Sequence, residues 1–105
     1  LWGGTAFNFG RQPDRMQRLQ AYIDATARVR DVARAQNVDV FISNHSGYDQ
    51  AVEKLARVQQ AGHSGHPARR RAANPFVIGS DATQRALTVM HECAQATLVA
   101  WQSGK

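Results

Sequence analysis

Apolar residues recur at steps of three and four over three stretches of the chain, and this spacing predicts three amphipathic helices. The stretches cover residues 14–36, residues 49–61 with Asp49 as a possible N-cap, and a final stretch that begins after a cap at Ser80 or Asp81. The residues expected to face inward are Met16, Leu19, Tyr22, Ile23, Thr26, Val29, Ala33, Val52, Leu55, Ala56, Ala82, Ala86, Leu87, Met90, Cys93, Ala94, Thr97, Leu98 and Trp101.

Two further stretches have the pattern of extended backbone. Residues 1–9 alternate loosely between apolar and polar side chains, which predicts a strand that runs into a loop. Asn37 is expected to end the first helix in a left-handed conformation. Residues 38–43 are rich in β-branched and apolar side chains, as in a buried parallel strand. With a Gly- and Pro-containing loop over 62–75, the order is strand, helix, strand, helix, loop, helix, which predicts an α/β fold.

Residues 1–105 are expected to form part of a single domain rather than a whole one. Two strands are too few to cover three amphipathic helices. The sequence also opens at Leu1 with apolar residues and without an initiator methionine. We therefore expect the C-terminal part of a longer protein, with the N-terminal half of the same protein as its partner. The chain by itself should then expose a large apolar face.

Composition narrows the class of protein. Hydrophobic residues make up 43% of the chain and charged residues 20%, which is typical of a globular protein and not of a disordered one. No apolar stretch approaches the roughly 18 to 20 residues that a membrane span requires. Cys93 is the single cysteine, so an internal disulfide or a multi-cysteine zinc site within the chain is excluded.

The net charge of +5 and the run Arg69–Arg71 are compatible with nucleic-acid binding. No nucleic-acid-binding motif accompanies them, and acidic residues such as Asp14 and Asp24 dilute the positive charge of the first helix. Nucleic acid is therefore not favoured as a partner. A non-enzymatic basic α/β module for interaction or nucleic-acid binding remains the alternative to an enzyme.

His45 is the most informative candidate for chemistry. It follows the predicted strand 38–43, at the carboxyl edge where α/β folds collect ligands and catalytic groups. A histidine there can be a metal ligand, a general base or an ordinary loop residue. His63 and His66 could share a metal, but the neighbouring arginines disfavour a cation, and a basic loop is the stronger interpretation.

The run His91-Glu92-Cys93 has the residue types of a metal site but not the geometry. Consecutive helical side chains point about 100° apart, so these three cannot converge on one ion. Cys93 is expected to pack in the core, and the other two are expected to face solvent or a neighbouring element.

The run Val38-Asp39-Val40-Phe41-Ile42-Ser43-Asn44-His45-Ser46-Gly47 resembles the late strand and metal-histidine loop of the metallo-β-lactamase fold. It is most similar to the third subclass of metallo-β-lactamases and their hydrolase relatives, in which a strand of the pattern apolar–apolar–Ser/Thr–x–His–Pro–Gly carries the last zinc ligand. The predicted order of elements agrees over nearly all of the chain. The resemblance implies an αβ/βα sandwich, of which this chain would be the C-terminal half.

This resemblance implies that His45 is the final zinc ligand at the second metal position. The family's other ligands, an upstream His-x-His-x-Asp-His motif and one further histidine, are not in the chain, so the chain alone is expected to be inactive. One or two zinc ions would activate water for attack on an amide or ester carbonyl of a small-molecule substrate, such as a β-lactam.

The same resemblance implies that Thr5, Ser46 and Tyr48 contact the substrate, and it assigns no catalytic residue to this chain. Ser46 stands where the family usually has proline. Thr5 provides the one hydroxyl in a stretch where the β-lactamases carry serines, so a related hydrolase is as good a match as a β-lactamase. Relatives in this subclass are often exported, which suggests a periplasmic or secreted protein.

Overall fold

Four α-helices make up the regular secondary structure of the described residues. The structure is a computed structural model and describes residues 2–3, 6–62 and 74–104. Within these residues the helices are α1 (Arg15–Ala35), α2 (Ser46–Asp49), α3 (Ala51–Gly62) and α4 (Ser80–Gln102). The two long helices, α1 and α4, pack against each other.

Helices α1 and α4 run antiparallel. Near the start of α1, the guanidinium carbon of Arg15 lies 4.7 Å from the ring centroid of Trp101, close to the end of α4. Further along α1, Arg30 approaches Thr88 with an Nη1–Oγ1 distance of 3.5 Å. Residue numbers therefore rise along one helix as they fall along the other.

The core lies between these two helices. Leu19 and Ile23 on α1 pack with Ala94 on α4, and all three side chains are buried. Partly buried side chains surround them: Phe7, Phe9, Tyr22, Leu98 and Trp101. Burial of apolar surface contributes about 25 cal/mol per Å², so this cluster is the main source of stability for the helix pair.

The C-terminus of α1 is closed by a Schellman motif. The backbone N–H of Asn37 donates to the carbonyl of Arg34 at 3.2 Å, and that of Val38 donates to the carbonyl of Ala33 at 2.9 Å. Asn37 has φ of 50°, as the left-handed position of this motif requires. The predicted left-handed stop at Asn37 is confirmed, and it directs residues 38–43 back along the helix pair.

The predicted α/β fold is wrong, and so is the αβ/βα sandwich that the resemblance implied. The described residues contain no β-strand. The extended segment 38–43 pairs with its neighbours at single residues, Ser43 with Trp2 in parallel and Val40 with Val77 antiparallel. A stable sheet needs several residues hydrogen-bonded along each of its strands. The β-branched pattern therefore identified extended backbone, and in the described part of the chain this backbone is not incorporated into a sheet.

The positions of the predicted helices are confirmed, but part of their predicted buried faces is wrong. Six residues expected to face inward are exposed: Met16, Val29, Val52, Leu55, Ala56 and Cys93. Helix α3 packs against neither α1 nor α4, and the side chains of Val52 and Leu55 are 66% and 51% exposed. Cys93 is also exposed rather than in the core. Helical periodicity shows which residues share a face, but it does not show whether another element covers that face.

None of the described helices combines the length and the apolar character needed to cross a membrane.

Candidate functional site

His45 lies where the extended segment ends and α2 begins. It occupies the N-cap position of α2 with extended backbone angles (φ −122°, ψ 117°), and its side chain makes no capping hydrogen bond. The imidazole is exposed. His45 is therefore exposed at the end of segment 38–43, although this segment is not the strand that the sequence predicted.

The loop that carries His45 is held by buried polar contacts. The backbone N–H of His45 donates to Oγ of Ser43 at 3.2 Å, and the carbonyl of His45 accepts from the backbone N–H of Tyr48 at 3.0 Å. The backbone N–H of Ser43 in turn donates to Oδ2 of Asp49 at 2.7 Å. Ser43 and Asp49 are both buried, so the backbone that carries the exposed imidazole is fixed by buried polar contacts.

Asp49 connects the two ends of this loop. Its Oδ1 atom accepts a hydrogen bond from the backbone N–H of Ala51, the first residue of α3, at 2.9 Å. Between them, Gln50 has a left-handed conformation with φ of 56°, which separates α2 from α3. The sequence predicts Asp49 as the N-cap residue of this helix, but it is the last residue of α2, and Gln50 lies between it and α3; its side chain nevertheless bonds the first N–H of α3. Its second bond, to Ser43, could not be predicted from the sequence pattern.

The predicted substrate contacts are only partly brought together. Tyr48 lies edge-on to His45, with ring centroids 6.1 Å apart, and its side chain is exposed. Ser46 is exposed as the first residue of α2. Thr5 lies outside the described residues, so its predicted place beside the other two stays a prediction.

An imidazole can supply one ligand of a zinc ion, but the described residues do not complete a zinc site around His45. A catalytic zinc normally has three protein ligands. No group of three or more His, Cys, Asp or Glu side chains comes together in the described part of the chain. Asp49 is already engaged, since both carboxylate oxygens accept backbone N–H groups. His63, His66 and the run Arg69–Arg71 lie outside the described residues.

His91 packs against α1 rather than forming a site with its sequence neighbours. Its Nδ1 atom lies 2.9 Å from Oγ1 of Thr26 and 3.1 Å from the carbonyl oxygen of Ile23. Glu92 and Cys93 are exposed. This arrangement is consistent with the prediction that these three residues do not converge on a metal. In the fold, His91 makes a polar contact between α4 and α1.

An apolar groove lies beside the core, where the apolar face of α1 meets the extended segment 38–43. The groove encloses about 150 Å³ between the second half of α1 and the extended segment. Its lining side chains are mostly aliphatic and aromatic: Trp2, Val29, Val32, Ala33, Val38, Val40, Phe41, Ile42, Thr83 and Leu87. Several of these are more than a third exposed, so the expected exposed apolar surface is present.

Tyr22 belongs to an aromatic cluster at one end of the core. Its ring stands edge-on to Phe7 and to Trp2, at centroid distances of 5.2 and 5.7 Å, and its hydroxyl oxygen accepts a hydrogen bond from Trp2 Nε1 at 3.3 Å. Burial raises the pKa of Tyr22 above its ordinary value of 10.0; the Trp2 hydrogen bond opposes this rise and the nearby Cys93 adds to it. Neutral Tyr22 is therefore the form that the folded protein favours.

Comparison of this chain with known protein families, curated proteins and solved structures finds no match.

Proposed function

We propose that this chain contributes one zinc ligand, His45, to the metal centre of a hydrolase that acts on an amide or ester carbonyl. The observation that carries the proposal is the exposed imidazole of His45 on a backbone that buried polar contacts hold in place. A ligand residue must reach the metal and must also keep its orientation. The resemblance of residues 38–47 to a zinc-binding histidine loop supports the same assignment.

The role of the chain's own residues in this proposal is to hold and orient. His45 binds as neutral imidazole, and Ser43 and Asp49 fix the backbone on which it stands. The Tyr48 ring lies edge-on to the imidazole, with ring centroids 6.1 Å apart. Zinc supplies a bound water with a pKa lowered toward neutrality. In this proposal the remaining ligands would come from other polypeptide, since no group of three or more His, Cys, Asp or Glu side chains comes together in the described residues.

The apolar groove supports the second part of the proposal, that other polypeptide packs on this chain. Val32 and Ile42 line the groove, and each is more than a third exposed. Covering such surface with the rest of the same protein would remove apolar area from water and bring the missing ligands toward His45. The partner that the sequence suggests, an N-terminal half of the same protein, is the occupant we propose.

The amino-acid sequence encoded upstream of Leu1 in the same genomic reading frame tests this proposal directly. We expect an uninterrupted frame that encodes a His-x-His-x-Asp-His motif and one further histidine. A frame that begins at Leu1, or an upstream extension without these histidines, would remove the hydrolase assignment.

A second candidate is a non-enzymatic interaction module. The observation that favours it is α3, which is amphipathic yet leaves Val52 and Leu55 exposed and packs against neither long helix. An apolar helix face of this kind is suited to a protein partner. Metal analysis separates the two candidates, since an interaction module has no need for His45 to bind zinc.

A further inference from the structure

We infer that a cleft at the start of α1 binds a small organic phosphate. The cleft encloses about 500 Å³. Its lining residues are Arg11, Gln12, Pro13, Arg15, Met16 and Gly104. None of them belongs to the loop of His45, so the inference goes beyond the proposed function and does not depend on it.

The cleft carries positive charge that the described residues leave unpaired. Arg11 and Arg15 line it, and the described residues of its wall include no carboxylate. The ion pairs in the described part of the chain involve other arginines, Arg18 and Arg34. Two guanidinium groups without a carboxylate partner are suited to an anion with several oxygens, because each guanidinium can donate two parallel hydrogen bonds.

The nearest acidic residue in the sequence, Asp14, is engaged elsewhere. It is the N-cap residue of α1, but its side chain makes no capping hydrogen bond. Its Oδ2 atom accepts a hydrogen bond from Nε of Arg18 at 2.8 Å instead. The first turn of α1 contains no acidic residue. The backbone N–H groups at the start of α1 therefore add to the positive potential of the two arginines.

Arg15 is held in place by an aromatic ring. Its guanidinium carbon lies over the ring of Trp101, 4.7 Å from the centroid, and Phe9 stands edge-on to that ring with centroids 6.4 Å apart. A cation–π contact uses the charge of the guanidinium but none of its N–H groups. Since the guanidinium of Arg15 has no hydrogen-bond partner in the described residues, these donors are available to a ligand.

The size and the wall of the cleft favour an organic phosphate over a free phosphate ion. Small-molecule sites typically enclose about 300 to 1,000 Å³, and one phosphate group fills only part of such a volume. Pro13 and Met16 add an apolar wall, and the Met16 side chain is 41% exposed. A phosphate monoester carries about −1.5 to −2 charges at pH 7, which matches two arginines. Its organic part would contact Pro13 and Met16.

The experiment measures the binding of phenyl phosphate by isothermal titration calorimetry, with the full protein that carries this chain and at constant ionic strength. We expect saturable binding that Arg11→Gln and Arg15→Gln each weaken about 10-fold or more, because each removes charged hydrogen-bond donors. Arg15→Lys keeps the charge but not the planar fork, and should lose part of the affinity. Arg28→Gln is the matched control, since Arg28 is an exposed arginine of α1 outside the cleft, and its variant should bind like the wild type.

Inorganic phosphate, titrated in parallel, tests the class of ligand. It should bind more weakly than phenyl phosphate, because it has no organic part to contact Pro13 and Met16. Equal or tighter binding of inorganic phosphate would contradict an organic ligand. An equal loss of affinity in Arg28→Gln and Arg11→Gln would show attraction to the net charge alone, and a wild-type protein that does not bind phenyl phosphate would remove the site.

Circular dichroism of each variant separates loss of the site from loss of the fold. Arg15 also contacts Trp101, so its substitution can affect the packing of α1 on α4. The side chain of Arg11 is exposed, and Arg11→Gln should keep the wild-type helix content. Wild-type affinity for phenyl phosphate in a folded Arg11→Gln protein would overturn the inference whatever the result at Arg15.

Discussion

The Nδ1 atom of His91 on α4 lies 2.9 Å from the hydroxyl oxygen of Thr26 on α1. The Thr26 hydroxyl donates to the carbonyl of Ile23 at 2.8 Å, and His91 Nδ1 is 3.1 Å from that same carbonyl. Together these groups form a polar contact between α1 and α4, in addition to the contacts of Arg30 with Thr88 and Gln84 further along the interface.

Thr26→Val tests the strength of this contact. Valine keeps the shape of threonine but removes the hydroxyl, and we expect the free energy of unfolding to fall by about 1 kcal/mol. Denaturant unfolding of Thr26→Val, His91→Ala and the double variant gives the coupling energy between the two residues. Strictly additive effects of the two substitutions would contradict a direct contact.

Leu19→Ala tests the location of the core. Leu19 is fully buried between α1 and α4, so we expect a loss of about 2 to 5 kcal/mol. Leu55→Ala makes the same chemical change on α3, where the side chain is half exposed, and should cost less than about 0.5 kcal/mol. Equal losses in the two variants would show that α3 is packed in solution as tightly as α1.

Substitutions at Asn37 test the left-handed backbone conformation that ends α1. Because its φ is 50°, a β-branched side chain at this position is strained, and Asn37→Val should destabilise the protein by about 1 to 2 kcal/mol. Asn37→Gly removes the restriction and should be neutral or slightly stabilising. Thermal unfolding of both variants provides the measurement, and the opposite order of stability would exclude the left-handed conformation.

Ionisation of Tyr22 makes the free energy of unfolding depend on pH in the alkaline range. Its folded pKa lies above the unfolded value of 10.0, so the folded state holds the proton more tightly. The resulting stabilisation is fully present below pH 10 and is lost as the pH rises through the folded pKa. We expect Tyr22→Phe to show a shallower fall in unfolding free energy above pH 10 than the wild type. Parallel curves for the two proteins would contradict the pKa direction.

The sequence predicted the helices well, because their signals are local. The spacing from Leu19 to Ala33 and the turn at Asn37 depend on residues close together in the chain, and α1 and its Schellman motif follow from them. The prediction of a sheet, by contrast, depended on pairing with residues far away in the sequence. Residues 38–43 have strand-like composition, yet among the described residues they pair only through single residues, Ser43 with Trp2 and Val40 with Val77.

The candidate site was predictable in position but not in construction. His45 could be identified from its place after an apolar segment. The buried bond between Ser43 and Asp49 depends on how the backbone turns through Gln50, which the residue pattern does not specify. The pairing of His91 with Thr26 spans 65 positions in the sequence, and its geometry is set by the packing of α1 on α4.

The zinc content of the purified protein that carries this chain tests the central claim most directly. Metal analysis should find about one zinc fewer per molecule in His45→Ala than in the wild type, while His63→Ala and His66→Ala keep the wild-type content. A wild-type protein without zinc, or a His45→Ala protein with undiminished zinc, would contradict the assignment of His45 as a metal ligand.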